Sequence, residues 1–328
     1  MRQEFCRKIK FKISGGFFIC LFFLQKKILK IFSSSAPKNL QRRFIIFFIL
    51  FSLLVILFGK LFFDMESPNI ILYFYGISVS FVLLITFYFA FFKYSDPYLA
   101  AAAINPEGKN NYLVSCMVAV KDEEKIIEQC ILSFLKQTYK NKEIIFVNDA
   151  SCDNTEKILD EYAKKKLISV IHLKKNIGKK RALGKAMLMA KGEIFVFSDS
   201  DSILAPDAIF KIVKIFKAFP NIGAVSGHCR ALNGNKNFLT KIQDSWYEGQ
   251  FSVRKAFESF FGAVSCVSGP LAVFRKEAIF NYIPAWENDS FLGQEFKFAT
   301  DRTLTGFVLG SNAIGKKLKK KVFRFFVC

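Results

Sequence analysis

Histidine is almost absent from this sequence, and its cysteines show no pattern. Only His172 and His228 occur, far apart, and the eight cysteines (Cys6, Cys20, Cys116, Cys130, Cys152, Cys229, Cys266 and Cys328) include no Cys-x-x-Cys pair. A zinc site built from closely spaced ligands is therefore not expected. The scattered thiols read as small buried hydrophobes in a reducing compartment. Acidic residues are also scarce: 27 Asp and Glu stand against 48 Lys and Arg, a formal net charge of +21. The imbalance calls for an anionic partner: a lipid surface, a nucleic acid or a phosphate-bearing substrate. No aromatic-basic recognition motif accompanies it in the soluble part, so no specific nucleic-acid binding is expected.

What the sequence has in excess is apolar. It is 52% hydrophobic and contains 41 Phe. That is more than an ordinary core accommodates, so the surplus should be concentrated in membrane segments. Two runs reach the roughly 20 residues that a hydrocarbon core of about 30 Å demands. Residues 44–63 are apolar except for Lys60, which can snorkel, and residues 70–92 carry no charge. Residues 1–43 hold eleven Lys or Arg against the single acid Glu4, and the turn from Asp64 to Asn69 holds two acids and no base. The positive-inside rule then places both ends of the pair in the cytoplasm. Membrane lipids are thus one expected partner. Within the N-terminal segment, residues 13–24 are too short to span. They read as an interfacial helix, in preference to a signal-peptide core, because no small-x-small cleavage site follows.

From Tyr112 the periodicity changes. Strands are predicted at 112–120, 143–147, 168–172, 193–197 and 223–226. Helices are predicted between them at 123–135, 155–166, 179–190 and 206–219. This alternation predicts an α/β domain over 112–310, a doubly wound and mostly parallel sheet. Ligands in such sheets bind beyond the carboxyl ends of the strands. Three of those ends are acidic: Asp122-Glu123-Glu124, Asp149 with Asp153, and Asp199-Ser-Asp201. Carboxylates crowded together raise each other's pKa and call for a cation. With oxygen ligands, that cation is Mg²⁺ or Mn²⁺.

Each motif has a plainer explanation. An Asp-x-Asp is common in solvated loops, but its place after Ile-Phe-Val-Phe favours a metal that bridges a diphosphate. Asp149 could accept bonds from a base or ribose, whereas Ser151 and Asp153 serve equally well as helix caps. The turn Asn176-Ile-Gly-Lys179 suits a phosphate at a helix N-terminus, or is simply a basic turn. Asp301 beside Arg302 fits an ion pair, a cap or a general base.

Taken in order, these segments resemble the processive membrane group of family 2 glycosyltransferases: hyaluronan synthases, chitin synthases and nodulation-type chitooligosaccharide synthases. The resemblance spans roughly residues 112–310 and implies a GT-A-type fold preceded by two transmembrane helices. It implies donor contacts from Val120, Asp122, Glu123, Asp149, Lys179 and Asp199, with a UDP-sugar donor held through the uridine at Asp149. It implies a metal at Asp201 and Asp199. Ser265-Cys-Val-Ser-Gly269-Pro270-Leu is similar to the acceptor-side segment, with Gly269, Pro270 and Arg302 beside a glycan acceptor. Asp301-Arg-x-Leu-Thr305 is similar to the segment carrying the catalytic base, Asp301, although Thr300 stands where the group has an acid. The implied enzyme is inverting, multi-pass in the cell membrane (a bacterial inner membrane), with its catalytic domain cytoplasmic.

One departure qualifies the resemblance. The Gln-x-x-Arg-Trp motif that the group carries after the base is not found. Residues 311–328 read as a basic tail left by truncation or frameshift. The alternative to an active enzyme is therefore a catalytically inactive membrane remnant of one. A nucleotidyltransferase could share the sheet and the metal, but the Gly-Pro-Leu and Asp-Arg-x-Leu-Thr segments argue against it.

Overall fold

The structure is a computed structural model that describes residues 50–59, 70–104, 111–295, 300–317 and 324–327. The chain divides into two compact units, Met1–Ile85 and Thr86–Cys328. The interfacial segment 13–24, the acidic turn 64–69 and most of the first expected span lie outside the described residues. Of that span, the helix Leu50–Gly59 is described. One described helical run, Tyr73–Ala103, is long and apolar enough by composition to cross a bilayer. It begins within helix α1 (Ile70–Tyr88) and continues through a π turn at Phe89–Lys93. After Tyr94 and Ser95, Asp96 caps a short helix α2, Pro97–Ala103, by accepting from Tyr98 N–H.

The second unit is built on a seven-stranded sheet. Its first six strands are β1 (Val114–Val120), β2 (Lys142–Asn148), β3 (Ser169–His172), β4 (Ile194–Ser198), β5 (Ile222–Ser226) and β6 (Ala272–Arg275). Two short strands, β7 (Ser290–Phe291) and β8 (Gln294–Glu295), pair with each other in a separate hairpin. The seventh strand of the main sheet is β9 (Arg324–Val327), and the order is β3-β2-β1-β4-β6-β5-β9. All seven run parallel except β6, which is antiparallel to both of its neighbours. The mostly parallel, doubly wound sheet expected from the sequence is the one observed. Part of segment 311–328, which reads as a tail, supplies β9 at the sheet edge and pairs with β5.

Each face of the sheet has its own core. Every residue of β1 is buried, because Cys116, Val118 and Val120 point into one core and Met117 and Ala119 into the other. A strand covered on both faces is apolar along nearly all its length and shows no alternation; the one polar residue of β1, Ser115, is hydrogen-bonded to Glu143 Oε1 at 2.6 Å. On the first face lie helices α3 (Ile127–Leu135), α4 (Thr155–Lys164) and α6 (Ala208–Ala218). In α3, Ile127, Cys130, Ile131 and Phe134 recur at helical spacing and are all buried. On the second face lie α5 (Lys179–Met189) and the segments after β6. There Trp286, 1% exposed, packs among Ile279, Ile283, Leu304 and Val308.

Further helical pieces stand between β5 and β6 and after the hairpin. Helix α7 (Phe238–Gly249) is followed by a π segment, Gln250–Lys255, and then by α8, Ala256–Phe260. The last long helix, α9, runs Thr300–Lys317.

Candidate active site

The acidic loops after β1 and β2 are knitted together rather than left loose. Asp149 N–H donates to Val120 O at 2.9 Å, which joins the two strand ends. Asp122, in the left-handed region at φ 55, accepts from Cys152 N–H at 2.7 Å and donates its own N–H to Ser151 Oγ at 3.0 Å. Glu123 N–H donates to Thr155 Oγ1, and Glu124 N–H donates to Asp153 Oδ2. Asp153 also accepts from Thr155 N–H at 3.0 Å. Ser151 and Asp153 therefore act as a clasp between loops, and Asp153 adds a capping-type bond at the start of α4.

Asp149 is nearly buried, and both of its carboxylate oxygens are engaged. Oδ1 accepts from Ile177 N–H at 2.8 Å and Oδ2 from Gly178 N–H at 2.9 Å. This holds the turn that opens α5, in which Gly178 takes φ 85, a conformation that favours glycine. In this structure Asp149 fixes where Lys179 begins.

Lys179 reaches across to the end of β4, where its Nζ hydrogen-bonds the Asp199 carboxylate. Burial pulls the Lys179 ammonium down, but Asp199, Asp301 and Asp201 together outweigh it, so its pKa lies above the usual lysine value. Glu123 is pushed up by burial and then by the Asp201 charge, and Ser200 Oγ donates to it at 3.4 Å. The strand ends thus gather more negative charge than Lys179 alone can balance.

The antiparallel course of β6 brings a late segment into this cluster. Ala272 pairs with Phe197 of β4 and with Ser226 of β5, so the residues before β6 lie beside those after β4. Ser198 Oγ donates to Pro270 O at 2.9 Å. A Cβ at Gly269 would lie 2.8 Å from Asp301 Oδ2 and 2.9 Å from both oxygens of Asp199. The two carboxylates therefore meet at a glycine, the one residue whose side chain leaves them room.

Asp301 sits in the first turn of α9. Thr305 Oγ1 donates to Asp301 O at 2.7 Å and accepts from Val267 N–H at 3.1 Å, which ties the helix to the Gly269 loop. Trp286 Nε1 donates to Thr300 O and Thr303 Oγ1, which secures the helix start. Burial and the neighbouring Asp199 charge raise the Asp301 pKa above the ordinary range. Lys179, the Gly269 N–H and Lys255 oppose that rise.

Of the residues singled out in the sequence, Lys179, Asp199, Gly269, Pro270, Asp301 and Arg302 surround one site. Asp301, Asp199, Gly269, Pro270 and Arg302 line a cavity of about 310 Å³. Asp201 and Asp122 act electrostatically on Glu123, and Asp149 is tied to Val120 at the end of β1; these five are not among the residues that line the cavity. Lys255 belongs to no motif and was missed by the sequence reasoning. It is 7% exposed and lines the same cavity. Its Nζ donates to Ser226 Oγ at 3.0 Å and to Ser268 Oγ, and lies 4.2 Å from the centre of the Phe251 ring. Burial pulls its pKa down to about 8. The available signal was the helical spacing of Phe251, Lys255 and Ser259, all buried on one face.

The donor set suits a hard divalent cation. Asp199, Asp201, Glu123 and Asp301 supply only oxygen, four carboxylates against the two ammoniums of Lys179 and Lys255. A ready-made trio of ligands exists elsewhere: Glu156, Asp160 and His172, whose ligand atoms lie within 4.8 Å of one another. That trio is accounted for by the His172 Nε2–Asp160 contact at 3.0 Å and by Asn148, which holds the other ring nitrogen.

Residues 115–282 match the family Glycosyl transferase family 2. The poly-beta-1,6-N-acetyl-D-glucosamine synthase of Staphylococcus epidermidis is 30% identical over 218 residues, which cover 66% of this chain and 52% of that protein. The hyaluronan synthase of Streptococcus pyogenes is 32% identical over 196 residues, 58% of this chain and 46% of that protein. The chain thus spans about half the length of these two synthases. Among solved structures, a mannosyltransferase of Pyrobaculum calidifontis in complex with GDP-Man and Mn²⁺ aligns at a TM-score of 0.47 and 20% identity, covering 70% of this chain and 61% of that one. TarS 1–349 of S. aureus in complex with UDP-GlcNAc aligns at 0.46 and 19%, covering 66% and 55%.

Proposed function

This chain belongs to glycosyl transferase family 2, and from that premise we propose that it is an inverting transferase. It moves a sugar, N-acetylglucosamine, from a UDP-sugar to a β-linked oligosaccharide or polysaccharide at the cytoplasmic face of a bacterial inner membrane. The observation that carries this is the meeting of Asp301 and Asp199 at Gly269, on the wall of an open cavity. One carboxylate faces an acceptor and the other belongs to the acidic strand ends where a donor diphosphate would lie.

The chemistry derives from these positions. Asp301, held by the Gly269 N–H, takes the proton of an acceptor hydroxyl as that oxygen attacks the anomeric carbon. The carbon–oxygen bond to the UDP phosphate breaks on the opposite side, so an α-linked donor gives a β-linked product. The raised pKa makes Asp301 a stronger base than a free carboxylate, while Lys179 and Lys255 keep it charged. Lys179, released from Asp199, is within reach of the diphosphate, and the Asp149-held turn fixes its start. Mg²⁺ or Mn²⁺, held by Asp201 and Asp199, supplies when bound the positive charge that stabilises departing UDP.

Donor contacts from Val120, Asp122 and Glu123, with the uridine at Asp149, belong to the same proposal, as do acceptor contacts from Gly269, Pro270 and Arg302. The helical run Tyr73–Ala103 supports attachment to a membrane, and the name of the staphylococcal relative supports N-acetylglucosamine as the sugar.

The test is turnover in membranes containing this chain, with UDP-N-acetylglucosamine, Mn²⁺ and the Asp301→Asn variant as control. UDP release and sugar incorporation that both vanish in the variant support the proposal. Absence of release in folded, UDP-binding material overturns it.

A further inference from the structure

Helix α7 has no buried residue, yet it is firmly placed. Asn237 and Thr240 form a capping box at its start. Asp244 accepts from Arg230 and, at 3.0 Å, from Ala231 N–H, and Glu248 lies 3.2 Å from His228 Nε2. Between these two anchors stands Trp246, 60% exposed. A large apolar ring held open to solvent is unusual for a residue with this much area to bury. Trp246 is no stray surface residue, because it lines the cavity that contains Asp301. Tyr247 lines it too, with its ring edge-on to the indole at 5.5 Å between centroids.

The rest of the wall mixes apolar groups, Phe251 and Pro270 among them, with polar ones. Gln250, Arg254 and Glu258 follow on the π segment and α8. Glu258 is fixed by the Ser265 N–H and Oγ, both at 2.9 Å. One aromatic face with a ring of donors and acceptors fits a sugar in particular. A β-linked hexosamine presents flat C–H faces for stacking and equatorial hydroxyls around its rim. At about 310 Å³ the cavity stands at the small end of ligand pockets, which run from ~300 to ~1,000 Å³. It has room for a terminal sugar unit rather than a chain.

We infer that Trp246, steadied by Tyr247, is the stacking platform for the terminal sugar of a β-linked hexosamine acceptor, with Gln250, Arg254 and Glu258 reading its hydroxyls. The inference rests on the transferase proposal for what enters the cavity. It adds a recognition surface on α7 that no sequence motif marked. Phe238, Leu239 and Ile242 are also exposed on α7, so a lipid surface is the competing occupant. The polar neighbours of Trp246 and the cavity it shares with Asp301 favour the sugar.

The chain carries its own reporter. It has two tryptophans, and the other, Trp286, is 1% exposed. Titrating the purified full chain with a tetramer of β-linked N-acetylglucosamine, without donor, should give a saturable change in Trp246 emission. Trp246→Ala should abolish that signal and weaken tetramer binding by calorimetry about 30-fold or more, the size of an aromatic hot-spot truncation. Trp246→Phe, which keeps a ring, should bind more tightly than the alanine variant. UDP binding and the Trp286 emission report that each variant is folded.

Tetramer affinity unchanged in Trp246→Ala overturns the inference. So does an emission change produced by phosphatidylglycerol vesicles and not by the tetramer, which assigns the ring to the membrane. Tetramer binding needs no turnover. A chain that binds through Trp246 but releases no UDP would sink the transferase proposal alone, and an active chain indifferent to Trp246 would sink this inference alone.

Discussion

Gly269 and Asp301, 32 positions apart in the sequence, share one point in space: a Cβ on the glycine would stand 2.8 Å from Asp301 Oδ2. The same Cβ would press on both oxygens of Asp199 at 2.9 Å. Gly269→Ala should therefore turn both carboxylates aside while leaving the cores intact. Turnover should fall by about 10², the consequence of misplacing a reacting group by about an ångström. The melting temperature should move little. Normal turnover in a folded Gly269→Ala chain would contradict the geometry.

Asp301→Asn removes the proposed base and keeps its shape. Turnover should drop by about 10²–10⁴, with UDP affinity by calorimetry unchanged. In the unmodified chain the base must be deprotonated, so activity is lost as pH falls through its pKa. Because burial and Asp199 raise that pKa, the acid limb should lie above the range of a free aspartate. A limb within the free-aspartate range would assign the proton transfer elsewhere.

Lys255 sets stability against activity. Its pKa is lowered from 10.5 to about 8, chiefly by burial. A depressed lysine destabilises the fold fully below about pH 8, and the penalty fades as pH rises towards the unfolded value. Lys255→Met should therefore stabilise the fold at pH 7, by up to about 3 kcal/mol less whatever packing is lost, and so raise the melting temperature. The same variant removes a charge that keeps Asp301 ionised, so the acid limb of its activity should shift upward. Lys255→Arg should restore the limb. A limb that stays in place in Lys255→Met would reduce Lys255 to a structural residue.

A divalent cation held by Asp199, as proposed, would compete with Lys179 for that carboxylate. Lys179→Met removes the ammonium bonded to Asp199, so Mn²⁺ should bind more tightly in the absence of UDP, read by electron paramagnetic resonance. UDP affinity should fall at the same time, because the diphosphate loses a cation. Weaker Mn²⁺ binding in the variant would mean that the carboxylates need Lys179 to hold their places.

Asp149→Ala frees the amide of Ile177 and leaves that of Gly178 to Asn176 Oδ1 alone. Losing two part-buried hydrogen bonds to a charged group costs about 1–3 kcal/mol. The chain should melt earlier, and Lys179 should lose its fixed start, so UDP should bind more weakly. Unchanged UDP affinity would separate the turn from the donor site.

Much of the architecture was legible because its physics is local. Parallel strands buried on both faces are apolar along most of their length, as in Val114–Val120 with Ser115 its one polar residue, and their helices carry a stripe, as at Ile127, Ile131 and Phe134. Such patterns repeat over short windows. Asp122, Asp149 and Asp199 could be placed at strand ends for the same reason. Their partners could not: Asp149 serves two amides 28 and 29 residues away, and nothing in its own neighbourhood encodes that.

The sequence by itself determined the alternation of strands and helices, the acidic strand ends, an apolar stretch long enough for a membrane, and the family. Tertiary structure alone decided that β6 runs against its neighbours, which sets Gly269 between Asp199 and Asp301. It also decided that Lys255 and Trp246 enter the same cavity, although neither lies in a motif. The physical reason is range. Periodicity and composition are fixed by neighbours a few residues apart. A site is fixed by which distant segments the sheet order brings together, and a single antiparallel strand changes that without altering any local pattern.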